Sequence, residues 1–577
     1  MDWHAHPGRL VRTLLHLTPT QLFWYPIRRL QSLRPAPAPR APGGRAPSTW
    51  EAARQELVAW GPGDGEARRS RADAICRGEY LFLNHPEHLS SIDWTRTYVS
   101  PLWTYRLQSF EWATDLAWTH CLSGDGKYLR TLAALLESWL QGAAARRGLG
   151  WDPYVVSSRA IQWCYTLLLV AEALPPELVD RMITSLLTQL GGLERRRELH
   201  LQANHLQRNL SALAMGGLLF EGPVPSAWRR RWVPAMWSEF LRQVTPDGVH
   251  AERSPMYHGL ALVDLLEIVC LAKAVGEPVP AAVVDRGRAM GRVWSVLSRG
   301  DGTIHLINDS ANGEVPAREY LAHLASRAWG GGAPLSGAVR LPDAGFVAWI
   351  DNTSGERLLI DAAPPGPAHQ PGHAHAGLLS FELDLAGRPV VVDSGLSGYD
   401  GDPFRDYVRS SRAHNTVTVD GLDQAELWGT FRVGGRPTML SADMEDRPFR
   451  FRGAYRPFHG RRIRHERRIG READGAWVVE DEVSGAAGRR VESYLHFHPD
   501  FEVSMRPDGF QAIAPGCRVA GTILGGAQWR VVRGVREPPQ GWYCPAFGVV
   551  QAAATVILMR DPQGEQSFGV RLRRVLG

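Results

Sequence analysis

His373-Ala374-His375 precedes the apolar run LLSFEL. In an extended chain residues i and i+2 share a face, so this pair would present two imidazoles to one side. That suits metal ligation, or one ligand beside one catalytic base. Asp393 closes the run PVVVD, and His414 precedes NTVTVD. Two histidines and one carboxylate from this set can hold a divalent ion and leave coordination positions open. A second candidate is Asn204-His205, in HLQANHLQRNLSALAMGG. Leu199, Leu206, Leu210 and Leu213 recur at helical spacing and mark a packed face, so Asn204 and Arg208, one turn apart, share a more polar face. A third is Tyr257. Ser254 followed by Pro255 reads as a helix N-cap and first position, which puts Tyr257 in the first turn. The helix dipole there favours a phenolate, and a tyrosine so placed can act as acid or base. The fourth is GYDGDPFRDYVRSSRAHN, a loop-like stretch carrying Tyr399, Arg405, Tyr407, Arg409 and Arg412. Arginines there can grip a carboxylate or sulfate by bidentate contacts. Each candidate also has a structural reading: a helix–helix hydrogen bond, a half-buried tyrosine, a solvated loop.

These residues sit on two kinds of scaffold. From about 49 to 330, apolar residues recur at three- and four-residue spacing, as in 102–121, 128–142, 157–173, 176–190, 196–220, 226–244, 255–275 and 279–299. This predicts paired helices, a toroid or solenoid-like layer. After about 335, short alternating or β-branched runs appear at 345–350, 378–384, 389–393, 415–420, 476–482, 490–498, 529–533 and 553–559. They predict an antiparallel β-sandwich. The fold class is therefore α+β and multidomain: an appendage with a Pro/Ala/Arg-rich linker over 1–48, a helical domain over 49–335 and a β-sandwich over 336–577. Most of the tryptophans fall before residue 300 and read as core, with a few suited to stacking on sugar rings.

Composition removes several functions. The chain has 577 residues, with 65 Lys+Arg against 60 Asp+Glu, a formal +5. No basic stripe of the nucleic-acid-binding kind is present. Only Lys127 and Lys273 are lysines, and neither stands in a GK[ST] context, so a P-loop is excluded. The six cysteines are scattered without a CxxC pair, which argues against a zinc ribbon or disulfide framework. The N-terminal stretch does not read as a signal peptide, and no run of about 18 apolar residues predicts a membrane span. A cytoplasmic protein is the expectation, with export by another route and an amphipathic first helix touching a membrane or partner left open.

The pieces QANHLQRN, DGVHAERSPMYHG, GDGTIHLINDSANG, HAHAGLLSFELDLAGRPVVVDSG and YVRSSRAHNTVTVDGLDQAE, in this order, resemble the heparinase II/III-like polysaccharide lyases, which include relatives acting on alginate. The resemblance runs from about residue 80 to the mid-400s. It implies an (α/α) toroid followed by a β-sandwich, an active site between them, and β-elimination on an anionic uronic-acid polysaccharide, a glycosaminoglycan or alginate. By that resemblance Asn204 stabilises the enolate-like charge with His205 or an arginine assisting, and His373 or Tyr399 is the base. Tyr257 protonates the leaving oxygen, or acts as base for the other uronate epimer. His375, Asp393 and His414 match the residues that hold a structural divalent metal, zinc or manganese. Arg208, Arg409 and Tyr407 are candidate substrate-binding residues.

The sequence departs from the family pattern in two places. Ala376-Gly377 stands where relatives often have Ala-Asp, and Arg208 stands where they often have Glu, which would favour a more anionic substrate. Tyr399 and Tyr407 both lie near the position of the catalytic tyrosine, and Tyr399 is preferred. Two other readings remain: a non-catalytic glycan-binding protein of an exopolysaccharide assembly system, and a hydrolase using Glu252 and Asp309. Neither sequence nor spacing fixes the oligomeric state.

Overall fold

A computed structural model describes residues 7–32, 50–142, 146–560 and 567–575. The linker expected over 32–48 lies almost wholly outside the described residues. Helices from Trp50–Trp60 to Arg318–Trp329 form the toroid, with a short hairpin of Glu79–Phe82 and His85–His88 among them; the strand half begins at Gly337–Leu341. Several helices start as local chemistry dictates, with proline in the first turn. Ser100 Oγ accepts from Trp103 N at 3.1 Å to open Pro101–Ser109, and Ser254 Oγ accepts from Tyr257 N at 3.2 Å to open Pro255–Ala274.

The single helix expected over 102–121 is two, Pro101–Ser109 and Glu111–Ser123, broken at Phe110, where φ is +64°. A left-handed backbone is costly for a bulky residue. It persists because the fully buried Phe110 ring packs against Trp94, Trp112, Trp139 and Trp163, so aromatic packing overrides helix propensity. Helix Pro255–Ala274 is long and apolar enough to cross a membrane, yet 67% of its most apolar window is buried inside the protein. It reads as a core helix.

The strands form antiparallel sheets. A five-stranded meander comprises Gly337–Leu341, Phe346–Asp351, Glu356–Asp361, Phe381–Leu385 and Arg388–Val391. An eight-stranded sheet runs from Thr438–Glu445 to Glu502–Arg506, and a four-stranded one includes Val417–Val419 and Val491–His496. The meander lies between two cores, and strand alternation shows how. Phe346, Ala348 and Ile350 join the helical core, whereas Val347, Leu358 and Ile360 join the sandwich core. On Phe381–Leu385 the odd residues Phe381, Leu383 and Leu385 enter the sandwich core. The intervening acids reach into the toroid: Glu382 pairs with Arg299, and Asp384 accepts from Arg299 Nε at 3.1 Å. Glu382 also accepts from Leu306 N at 2.7 Å and pairs with His305 Nδ1 at 2.9 Å. Glu382→Ala would leave the buried Arg299 short of a partner. It is expected to lower unfolding free energy by about 3–5 kcal/mol, read as a shifted urea midpoint.

The first helices, expected as an appendage, pack across both halves. Arg12 Nε donates to Glu426 Oε2 at 2.8 Å and Trp428 Nε1 to Thr13 Oγ1 at 3.1 Å, on the strand side. Gln202 Nε2 donates to Thr18 Oγ1 at 2.9 Å, on the helical side. Gln21 is fully buried and donates to the His369 carbonyl at 3.1 Å.

Candidate functional site

A cleft of about 2920 Å³ opens between the helical and strand layers, lined by Asn204, His205, Arg208, Tyr257, His373 and Tyr399. Tyr257 and Tyr399 share a hydroxyl–hydroxyl hydrogen bond of 2.9 Å. The Tyr257 and His373 rings lie 4.0 Å apart at 31°. One phenol from a helix thus meets one imidazole and one phenol from the strand half.

The backbone enters the helix-borne side of the site through left-handed, non-glycine residues. Gln202 (φ +60°) and Ala203 (φ +47°) precede Asn204, Arg253 (φ +55°) precedes Ser254, and Asn308 (φ +58°) precedes Asp309. Such conformations cost energy and cluster where surrounding structure over-determines them. Asn204 is in the first turn of Ala203–Leu219, not inside a longer helix as the leucine spacing suggested. Its Oδ1 is buried without a partner. His205 Nδ1 lies 3.1 Å from Glu198 Oε1. Burial works to lower the His205 pKa, but Glu198 outweighs it and raises it, favouring the charged ring.

The helix dipole favours a phenolate at Tyr257, but burial first, then neighbouring Tyr399 and Glu252, push the phenol well above its ordinary value, which leaves the acid of its two expected roles. Tyr399 is raised too, chiefly by burial and then by Asp309. Both rings are held protonated.

His373 and His375 do not lie on one face of a strand. They occupy the loop before Phe381–Leu385 and straddle Asp309. His373 Nδ1 is 2.8 Å from Asp309 Oδ2 and its ring borders the cleft; His375 Nε2 is 2.8 Å from Oδ1 and points away, fully buried. Arg405 adds a bidentate pair, with NH2 at 2.9 Å from Oδ2. Burial works to raise the Asp309 pKa, but Arg405 and the histidines hold it well below the usual carboxylate range. Asp309 cannot serve as a hydrolase carboxylate: it has no exposed surface, both its oxygens are engaged, and it does not line the cleft. Its actual place, as the anchor of His373, had no signal in the sequence.

His375, Asp393 and His414 do come together, each offering a ligand atom within 4.8 Å of the others. His414 Nδ1 is 2.7 Å from Asp393 Oδ2, while His414 Nε2 and His375 Nδ1 are buried without partners. Two orphaned imidazole nitrogens beside a carboxylate fit a divalent ion. Burial pushes His375 down to about 3, so it is the neutral ring that a metal needs.

The remaining expectations are corrected. Arg409 is 1% exposed, and its guanidinium donates to the carbonyls of Gly429 (2.7 Å) and Arg432 (3.1 Å). Tyr407 is 2% exposed and sits in a small core with Val408, Ala413 and Cys544. Neither lines the cleft. Arg208 does line it, but its charge is already matched by Asp264, and Nε donates to Ser158 Oγ at 3.2 Å.

Models of the two parts of one family match the chain: heparinase II/III N-terminus over residues 67–325, and heparinase II/III-like, C-terminal, over residues 333–571. A heparin-sulfate lyase from Pedobacter heparinus is 26% identical over 357 residues, covering 55% of this chain and 52% of the relative. One from Bacteroides stercoris is 22% identical over 383 residues, covering 56% of each. The matched region thus spans about half the length of these curated relatives. Among solved structures, heparinase III superposes with a TM-score of 0.71 at 14% identity, over 99% of this chain and 92% of that one. A heparan sulfate lyase from Pedobacter heparinus superposes with a TM-score of 0.57 at 18% identity, over 97% and 88%. At these identities the structural likeness is one of fold.

Proposed function

The chain belongs to the heparinase II/III-like family, and from that premise we propose that it is a polysaccharide lyase. It would cleave a uronic-acid-containing glycan, a glycosaminoglycan or alginate, by β-elimination. The observation that carries this reading is the meeting of Tyr257, His373 and Tyr399 in a cleft that Asn204 also lines. In this reading the proton at C5 of the uronate passes to Nε2 of His373. Asp309 takes the Nδ1 hydrogen and leaves the other nitrogen its lone pair. The electrons of the C5–H bond form the C4=C5 double bond, and the C4–O bond breaks. Tyr257, held as a phenol, gives its proton to the departing oxygen. The Asn204 amide and His205, whose charged form Glu198 favours, face the substrate carboxylate as it takes on enolate charge. His373 suits the base better than Tyr399, whose buried phenol holds its proton.

The test is the ultraviolet absorbance of the conjugated, unsaturated uronate during incubation with hyaluronan, chondroitin sulfate, heparan sulfate and alginate. A lyase generates this chromophore on at least one of them. Binding without the chromophore would make the chain a glycan-binding protein instead.

His375, Asp393 and His414 would hold a structural zinc or manganese ion. When bound, it supplies a fixed positive charge that orients this side of the site. Metal analysis is expected to find one ion per chain, and chelation to cost a few kcal/mol of stability as a lower melting temperature. A metal-free preparation whose melting ignores chelator would remove the ion.

A further inference from the structure

The helices Pro7–Leu14 and Pro19–Ser32 leave part of their apolar surface exposed, unlike an ordinary surface helix, which buries its apolar stripe and shows its polar one. Here polar residues hold the pair to the protein. Arg12 and Thr13 meet Glu426 and Trp428, while Thr18 and Gln21 meet Gln202 and His369. Four apolar residues look away from the cleft, Leu15 at 77% exposed, Phe23 at 63%, Leu30 at 66% and Val11 at 55%, whereas Leu10, Leu14, Leu17 and Leu22 line it. Val11 sits in the last turn of the first helix and Leu15 directly follows that helix, its N–H donating to the Val11 carbonyl at 3.0 Å, while Phe23 and Leu30 are two turns apart on the second, so the arm carries an outward apolar face. An exposed face of this kind marks an interaction surface.

The charge of the segment selects the partner. Residues 3–50 contain Arg9, Arg12, Arg28, Arg29, Arg34, Arg40 and Arg45, and no Asp or Glu, and of these Arg9 and Arg12 pair with Glu426. We propose that this N-terminal helix pair docks the protein on an anionic membrane surface. Leucine and phenylalanine side chains enter the boundary between headgroups and acyl chains, and the arginine-rich segment is attracted to negative headgroups. A soluble anionic polymer would be attracted by the same positive charge but would leave Leu15, Leu30 and Phe23 in water. A second copy of the chain would bring two acid-free, arginine-rich segments together. Thr13, Leu14 and Tyr25 of the same arm also line the cleft, so docking would hold the cleft beside the membrane. The inference stands independently of the lyase reading.

The experiment is flotation of the full chain with two kinds of vesicle, phosphatidylcholine mixed with phosphatidylglycerol, and phosphatidylcholine alone. Binding to the mixed vesicles is expected, weakening with added salt, and about tenfold weaker or absent on phosphatidylcholine alone. Phe23→Glu combined with Leu30→Glu is expected to lower binding about tenfold, with melting temperature unchanged. Leu15→Gln, in the turn that follows the first helix, provides a milder variant with the same expected direction. Wild-type protein that ignores the mixed vesicles, or variants that bind them as well as wild type, overturns the proposal. So does a dimer in sedimentation that the same substitutions dissolve, or binding of a soluble uronate polymer through the same residues.

Discussion

Tyr257→Phe is expected to lower kcat by about 10²- to 10⁴-fold, the range of a lost general acid, while KM changes little. The substitution deletes one oxygen. The ring keeps its place against His373 at 4.0 Å, and the backbone cap from Ser254 is untouched. The lost interaction is the 2.9 Å hydrogen bond to Tyr399, about 1 kcal/mol, so melting should scarcely move. Initial rates of unsaturated-uronate formation, with and without the hydroxyl, give the comparison. A variant with near wild-type kcat would pass the proton-donor role to another group.

Asp309→Asn should be as damaging, about 10³- to 10⁴-fold in kcat, by a different route. The carboxylate receives His373, His375 and both arms of Arg405. An amide offers one acceptor and one donor in its place, so His373 is driven to the tautomer that carries hydrogen on the cleft-facing nitrogen. That ring cannot accept the C5 proton. Arg405, now facing a neutral group in a buried site, adds about 3 kcal/mol of destabilisation. Rates must therefore be taken well below the lowered melting temperature. A positioning role has its own signature: combined with His373→Ala, the Asp309→Asn change should slow the enzyme no further than His373→Ala alone. Additive losses would show that Asp309 acts apart from His373.

Local chemistry was legible in the sequence, and distant partners were not. The Ser254-Pro255 pair announces a helix start, and the helix begins at Pro255, because a cap involves only neighbours. The break before Asn204 carries no proline or glycine. It is made by Glu198, whose backbone N–H and carboxylate are both held by the Asn209 side chain, and by left-handed backbone at Gln202 and Ala203. His373 and His375 read as a same-face pair because i, i+2 spacing assumes a strand. Their directions are set by Asp309, 64 positions before His373, and no periodicity reports that. Arg409 looked like a surface grip for anions, and it is instead consumed by two carbonyls of the segment Gly429–Arg432. The alternating acids of FELDL were visible, but their counter-ion, Arg299, lies in the other half of the chain.

The five-stranded meander has a consequence for how the molecule can be divided. The toroid's last helix ends at Trp329 and the strand half begins at Gly337, so the sequence invites a cut there. Yet the meander is a wall shared by two rooms: Phe346, Ala348 and Leu359 furnish one, Val347, Leu358 and Ile360 the other. A fragment ending near 335 would lose the floor of its helical ring and leave Arg299 unanswered. The complementary fragment would show a bare greasy flank studded with Glu382 and Asp384. Heat or denaturant should therefore melt both halves together, and swapping one half for a relative's would require carrying the wall with it.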